Sequence, residues 1–481
     1  MSAVRPPESR LASRKACVIG SGPNGLAAAI ILAQAGGQVE VFEAQAQPGG
    51  GARTMELTLP GFRHDFGSAV HPMAIGSPFF SSLPLHEHGL QWIYPSAPLA
   101  HPLDDGSAVM LERDFAAMQA SLGEDGAAWR RLMEPFAQNW NRLAPQVLRP
   151  LPPVPRTPWL LAKLGAISLS SANAVANRLF RDIRAKALFA GLAAHSFLDF
   201  DESLSATFGV LLGVAGHAVG WPFPRGGAQA ITDALLGYLG TLGGTLRAFH
   251  PIRTADDLPP HDLTMWDVSP RQLVMAAGSR LSLSYKRQLQ RYRCGPGVFK
   301  VDYALSEPIP WKARDCFRAG TVHIGGTLEE IAASEYAMRR GRHPERPFVL
   351  LSQPTLFDSS RAPEGKHIGW AYCHVPNGSN FDMLDRIEAQ IERFAPGFRD
   401  CVLAHHISTP ADLERMNPNL IGGDIAGGAS NLMQFLFRPT WRWYATSDPA
   451  MYLCSASTPP GAGVHGMCGY NAAKLALSRL R

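Results

Sequence analysis

The 481-residue sequence contains no Cys-x-x-Cys pair. Its seven cysteines (Cys17, Cys294, Cys316, Cys373, Cys401, Cys454 and Cys468) are odd in number and far apart. That argues against a disulfide framework, a cysteine-ligated zinc and a dithiol redox centre. A reducing, cytoplasmic setting is the expectation. Long apolar runs are also missing, and no stretch of about 20 residues is apolar enough to span a bilayer. The nearest, Ser203–Pro224, holds four glycines, a histidine and two prolines and reads as buried helix and turn. Met1–Lys15 is charged without an apolar core, so it reads as a short disordered tail and not as a secretory signal. Lysine is scarce, at eight of the 45 basic residues. The net charge of +5 is spread over short clusters at Arg178–Lys186, Arg280–Arg293 and Arg339–Arg346. No basic stripe is interleaved with aromatics, so no nucleic-acid partner is expected, whereas peripheral contact with an anionic membrane surface stays open.

What is present describes a globular chain. Apolar residues make up 46% and charged residues 18%, and the mean hydropathy is -0.05. At roughly 100–200 residues per domain the length predicts two to four domains and a core large enough to hold a cofactor. Glycine (46) and proline (39) are abundant and predict many tight turns. Residues 76–221 read as mostly helical with a proline-rich break at Arg149–Pro158, whereas residues 284–449 alternate strands and helices. Strands are expected at Thr245–Arg253, Leu263–Val268, Gly297–Leu305, Thr321–Ile324, Phe348–Gln353, His367–His374 and Met451–Ser457. Helices are expected at Leu328–Arg339 and Phe381–Phe394.

The clearest motif opens the ordered chain. The apolar run Ala16–Ile19 leads into Gly20-Ser21-Gly22-Pro23-Asn24-Gly25. A helix-forming stretch, Leu26–Gln34, follows and is stopped by Gly36-Gly37. The second strand, Val39–Phe42, then ends in Glu43 and Ala44. Gly20 permits the tight turn, Gly22 lets the backbone approach a pyrophosphate, and Gly25 lets the helix pack on the strand. The helix N-terminus offers free N–H groups and a positive dipole end to phosphates. Glu43 stands where a carboxylate can accept both ribose hydroxyls of an adenosine, which disfavours a 2′-phosphate. Up to this point the nucleotide is NAD or FAD.

Two further segments bear on that choice. Pro48-Gly49-Gly50-Gly51-Ala52-Arg53-Thr54 brings a second glycine run, with Arg53 able to sit on a phosphate. Gly61-Phe62-Arg63-His64-Asp65-Phe66-Gly67-Ser68 follows it. Together they resemble the second glycine motif and the flavin-side stretch of FAD proteins of the amine-oxidase and phytoene-desaturase superfamily. At the other end, Tyr452–Ser457 runs into Gly461-Ala462-Gly463-Val464-His465-Gly466, which is similar to the C-terminal flavin motif of carotenoid desaturases. Ser455-Ala456-Ser457 stands where that motif commonly has Gly-Asp. The likeness covers nearly the whole chain and is nearest to phytoene dehydrogenase-like proteins, including the pyridine nucleotide-disulfide oxidoreductase domain-containing group. It implies an α/β fold: a Rossmann-like FAD-binding domain of the glutathione-reductase/amine-oxidase type, plus a mixed-sheet α+β substrate domain. The FAD domain is expected from residues 14–75, 222–283 and 450–481, and the substrate domain from residues 76–221 and 284–449. The usual three-stranded meander is missing after Ile252, the residue expected to meet the adenine through its backbone.

The resemblance implies FAD contacts at Gly20–Gly25, Glu43, Ala44, Gly50, Gly51, Arg53, Gly67, Ser68, Ile252, Ser455, Gly463, Val464 and His465. Two residues are candidates for the chemistry. Lys300, in Gly297–Tyr303 followed by Glu307-Pro308-Ile309-Pro310-Trp311, resembles the strand lysine that holds a water against the flavin of amine oxidases. A surface lysine on an edge strand is the simpler account. His465 lies inside the C-terminal motif, where its backbone is a better candidate than its ring. His71, His217, His323 and His374 are scattered, and no group has metal-ligand spacing. Aromatics from Tyr292 to Tyr444 are candidates for lining an apolar tunnel, and Pro158–Phe180 for an amphipathic membrane contact. The expected activity is hydride transfer between flavin N5 and an apolar, isoprenoid, polyene or acyl-like substrate. The alternatives are a flavin amine oxidase, a redox-neutral flavin isomerase, or a non-enzymatic prenyl-binding protein.

Overall fold

The computed structural model describes residue 11 and residues 14–150 and 155–480. Most of the expected N-terminal tail, and residues 151–154 of the proline-rich break, lie outside them. Two sheets organise the chain. The first is five-stranded and parallel, in the order Met451–Leu453, Leu263–Trp266, Lys15–Ile19, Gln38–Phe42, Thr245–Arg247. Its strands are short, and the inner ones are mostly apolar because helices cover both faces, as parallel sheets require, while the edge strand Thr245–Arg247 is exposed at both ends. Its central strand comes from the start of the chain and one edge from the very end, so the chain leaves this unit and returns to it.

The helix Pro23–Gln34 follows the central strand. Proline at its first turn costs no hydrogen bond, and its Ala/Ile/Leu surface is buried nearly all round. It packs against the last helix, Met467–Arg479. Glycine makes that approach possible. A Cβ on Gly469 would lie 1.8 Å from the Asn24 carbonyl oxygen, and one on Gly25 would lie 2.1 Å from the Gly20 carbonyl oxygen. Between Arg247 and Leu263 there is only the short turn Ala255–Asp257, so the meander is absent as expected. The strand expected over Thr245–Arg253 ends at Arg247, and Phe249 adopts a positive φ of 53°.

The second sheet is seven-stranded and mixed, in the order Val402–Ser408, Gly297–Leu305, His367–Val375, Val349–Ser352, Thr321–Ile324, Leu99–Pro102, Ala108–Leu111. Two features were not expected from the sequence. The segment 76–221 is mostly helical, as read, but also supplies the hairpin Leu99–Pro102/Ala108–Leu111 at one edge. The opposite edge strand, Val402–Ser408, carries a double histidine and alternates in burial, which hid it among loop signals. Cross-strand register aligns Lys300 with Tyr372, Tyr372 with Leu350, and Leu350 with His323. Of that row, Tyr372 and Leu350 form part of the wall of the site below. The helices Ile183–Ala194 and Ser205–Ala218 pack on each other over this half.

Among the described residues no single helix is long and apolar enough to cross a membrane. Pro158–Ser168 and Ala172–Leu179 form a pair bent by 105°, with Trp159 56% and Leu169 72% exposed.

The helix–helix contact gives a direct test. Gly469→Ala drives a Cβ into backbone and should cost about 3 kcal/mol, the upper end for overpacking. Gly240→Ala, in a helix with nothing within 4 Å of the new methyl, should leave stability unchanged or raise it by up to ~1 kcal/mol. Denaturant midpoints of the two variants check the contrast.

Candidate functional site

A cavity of about 1800 Å³ is lined from both sheets. Ligand pockets are typically about 300–1,000 Å³, so this one has room for more than one molecule of that class. One end is built by the parallel sheet. Gly20, with φ +100°, turns the chain off the central strand and donates its N–H to the Phe42 carbonyl at 2.8 Å. The turn aims the N-terminus of Pro23–Gln34 into the cavity, where Gly20, Ser21, Gly22, Pro23 and Asn24 form the lining. Gly25 lies beneath the turn and outside the lining, where it sets the helix against the strand.

Glu43 closes the second strand and faces the same space. Its Oε2 accepts from the Ser21 hydroxyl at 2.6 Å and the Ser21 N–H at 3.0 Å, and its Oε1 accepts from the Gln45 N–H at 2.9 Å. The carboxylate is therefore fixed, with acceptor capacity left on Oε1. Ala44, Gly50, Gly51, Gly67, Ser68 and Ile252 line the cavity beside it. Arg53 is 4% exposed and donates to the carbonyls of Gly50 and Met416, with its guanidinium 4.5 Å from the Phe66 ring centroid. It has no carboxylate within salt-bridge distance among the described residues. Burial lowers its affinity for a proton, and Glu43 opposes that. A buried cation without an acid, beside an open helix N-terminus, is a built place for an anion. These donors, with the Glu43 acceptor, fit the diphosphate and ribose of a dinucleotide.

Sequence reasoning missed Asp267 at this end. It follows the strand Leu263–Trp266 and accepts the Gly25 N–H at 2.9 Å. Burial pushes its carboxyl up to about 7, against the pull of that N–H and with a further push from Glu43. Arg438 was also missed. It is buried, donates to Tyr292 Oη and to the Ala426 and Gly427 carbonyls, and stands beside Gly461. Neither lies near a sequence motif, and only the fold brings them in.

The C-terminal loop reaches the cavity through Ser455, Ser457, Gly463, Val464 and His465. The Ser455 and Ser457 hydroxyls are 2.7 Å apart. The His465 ring, a candidate for the chemistry from sequence, is engaged with the backbone at the start of the last helix. Its Nδ1 accepts the Met467 N–H at 3.0 Å, capping the last helix, and burial holds the ring down to about 4. With Nδ1 accepting, the neutral ring keeps its one proton on Nε2, and burial disfavours the imidazolium.

Lys300 requires the larger correction. It lies on the strand Gly297–Leu305 and is 2% exposed, so it is no surface lysine. Nor does it line the cavity. Its ammonium pairs with Asp302, two residues along the same face, and sits 5.7 Å from the Trp370 ring centroid. Trp370 is the residue in the cavity wall, and its Nε1 donates to the Asp65 carbonyl at 3.0 Å. Behind it Asp65 also binds Arg361 at 2.9 Å, and His64 lies 3.7 Å from Asp302. Lys300 belongs to this buried polar layer. Burial lowers its affinity for a proton, while Asp302 raises it.

The other end of the cavity is mostly apolar. Leu161, Leu164, Leu204, Phe208, Leu211 and Leu212 come from the helical segment, and Leu350, Trp370 and Tyr372 from the mixed sheet. His195 also lines it, with Nε2 3.0 Å from His323 Nε2. His71 does too, with Nε2 3.0 Å from the Ser68 hydroxyl. His217 and His374 stand outside the lining, bonded to Trp129 and Glu335 respectively. No metal cluster occurs among the described residues, and all seven cysteines are free.

Residues 18–80 match the NAD(P)-binding Rossmann-like domain family. The chain is 24% identical to pyridine nucleotide-disulfide oxidoreductase domain-containing protein 2 of Mus musculus, over 97% of this chain and 94% of that protein. It is 26% identical to a lycopene-forming phytoene desaturase of Pantoea ananas, over 94% of this chain and 96% of that one. The structure of putrescine oxidase shares the fold, with a TM-score of 0.60 at 16% identity, covering 97% of this chain and 98% of that chain.

Two measurements follow from the buried charges. Asp267 favours its protonated form when folded, so its contribution to stability is complete below pH 4 and is lost as pH rises through about 7. Asp267→Asn cannot ionise, and between those limits it should gain roughly 4 kcal/mol on the wild type, read from urea midpoints at each pH. Lys300→Met strands Asp302 and should cost about 3–5 kcal/mol, whereas Lys300→Met with Asp302→Leu should recover most of it.

Proposed function

We propose, from the premise that this chain is an oxidoreductase related to the phytoene desaturases, that its cavity holds FAD at one end and an apolar substrate at the other. Buried Arg53, without an acid partner and beside the open N-terminus of Pro23–Gln34, carries the first half of this reading. FAD is favoured over NAD because the second glycine run, Ser68 and the C-terminal Ser455–His465 loop all converge on the same cavity as Glu43. Bound flavin would supply a hydride acceptor.

The residues of the chain then have distinct tasks. Glu43 would accept from the ribose hydroxyls, and Arg53 with the amides at Gly22–Asn24 would bind the diphosphate. Ile252 would meet the adenine, and Ser68, Ser455 and Val464 would border the ring system. Residues 14–75, 222–283 and 450–481 would form the cofactor unit, with 76–221 and 284–449 supplying the substrate unit. The apolar helices over the mixed sheet would exclude water and orient a hydrophobic chain.

An amine substrate has weaker support. The carboxylates that line the cavity are Glu43, Asp267 and Asp424. Each already accepts a backbone N–H, from Ser21, Gly25 and Gly295 respectively. None stands among the apolar helices to balance an ammonium.

The reading predicts a yellow protein as purified. Glu43→Ala should weaken FAD binding by about 1–3 kcal/mol, or roughly 5- to 150-fold in Kd, measured by flavin fluorescence. A colourless protein that does not take up added FAD would contradict it.

A further inference from the structure

A second buried guanidinium stands in the wall of the cavity besides Arg53. Among the described residues the buried arginines are Arg53, Arg361 and Arg438. Arg361 pairs with Asp65 and lies outside the lining. Arg53 and Arg438 both line the cavity, and neither has a carboxylate within salt-bridge distance among the described residues. Arg149, Arg253 and Arg271 line it too, but they are exposed, and Arg271 already pairs with Glu414. A hydrated cation gains little from an anion, whereas a buried one is costly until it has a partner.

The donors of Arg438, which is 5% exposed, divide unequally. Nη2 is held by Tyr292 Oη at 3.0 Å and by the Ala426 and Gly427 carbonyls at 3.2 and 3.0 Å. Nε is shut inside without a partner. Nη1 makes no hydrogen bond among the described residues and lies over Gly461, 2.7 Å from the place a Cβ would take. Asp424 lines the same cavity but acts on Arg438 only from beyond salt-bridge distance. It accepts the Gly295 and Ala426 N–H groups, and burial raises its proton affinity.

The segment that carries Arg438 is tied to the cofactor end at both of its own ends. The Met416 carbonyl accepts from Arg53 Nη2 at 3.1 Å. Asn419 Nδ2 donates to the Asp267 carbonyl at 2.9 Å, and its Oδ1 accepts the Ser269 N–H at 2.7 Å. Further along, Gly427, at φ +64°, approaches the C-terminal loop so closely that a Cβ would stand 2.8 Å from that of Ala456. Residues 416–438 are thus a strap that runs from Arg53 to Gly461. Holding that strap does not itself call for a charge, since neutral donors satisfy carbonyls and a phenol without the cost of burying a cation.

We propose that Arg438 is a further cofactor-binding residue, with Nη1 held for negative charge on the bound flavin nucleotide. The inference rests on the FAD reading above. The nucleotide carries such charge in two places: on the diphosphate in every state, and on the ring once it is reduced. A guanidinium serves either.

The test compares the wild type with Arg438→Gln and Arg438→Lys, each loaded with FAD. Flavin fluorescence gives the Kd of oxidised FAD, and a dye-coupled redox titration gives the ratio of the Kd values of reduced and oxidised FAD. If the charge is the diphosphate's, Arg438→Gln should raise the oxidised Kd about tenfold or more and leave the ratio unchanged. If it is the ring's, the oxidised Kd should hold and the ratio should rise about tenfold or more. Arg438→Lys keeps the charge and should recover part of either loss. Unchanged values in Arg438→Gln, or equal losses in the two variants, would overturn the inference. So would a loss of dodecanoate binding with both cofactor values intact, which would give the cation to a substrate carboxylate. Should Arg438→Gln fail to fold, a crystal structure of the wild type with FAD decides. Nη1 within about 4 Å of a phosphate oxygen or of the ring upholds the inference, and Nη1 facing neither overturns it. A yellow wild type with unaffected variants contradicts the role of Arg438 alone, whereas a wild type that takes up no FAD contradicts the cofactor reading.

Discussion

The site depends on how closely the first helix can approach its surroundings. Three backbone contacts leave no room for a side chain: Gly25 over Gly20, Gly469 against Asn24, and Gly67 against Gly51, whose carbonyl oxygen would lie 2.5 Å from a Cβ. The first two seat Pro23–Gln34 with its N-terminus open to the cavity, and the third packs the segment around Gly67 on the second glycine run. They also tie the last helix of the chain to the first, which brings the Ser455–His465 loop to the same space as Glu43.

Charge is arranged around that helix end with economy. Arg53 is buried without an acid, whereas most other buried charges have partners or shifted proton affinities. Arg361 has Asp65, Lys300 has Asp302, and Asp267 accepts a proton near neutrality. A buried cation left alone is costly, so its persistence points to an anionic ligand that completes it. The far end of the cavity follows the opposite rule: it is apolar, and its histidines are held neutral. One chain has built a polar and an apolar compartment that open into each other, the arrangement an oxidoreductase needs to bring a charged cofactor to a hydrophobic substrate.

The glycine-rich end of the cavity was legible in the sequence because its determinants are local. Gly20, Gly22 and Gly25 stand within six residues, Glu43 closes the next strand, and Arg53 follows a glycine run. The same locality explains why the strands Gly297–Leu305 and Thr321–Ile324 have the bounds expected from sequence. The apolar end was not legible. His195 and His323 are 128 residues apart and meet only through the packing of a helix on a sheet. Lys300 shows the reverse error. Its surroundings in sequence suggested a reactive lysine, but the register that pairs it with Tyr372 also places it behind Trp370 and against Asp302, where no local pattern could have put it. The hairpin Leu99–Pro102/Ala108–Leu111 was hidden because its strands are only four residues long and lie in an otherwise helical segment.

The central claim is that one cavity holds a dinucleotide and an apolar molecule side by side. A crystal structure of the protein with its native cofactor tests it most directly. The account predicts diphosphate density between the N-terminus of Pro23–Gln34 and Arg53, a ribose on Glu43, and remaining open space bounded by Leu350, Tyr372 and His195. A cofactor whose phosphates lie away from Arg53, or one that fills the cavity to the His195 wall, would contradict it.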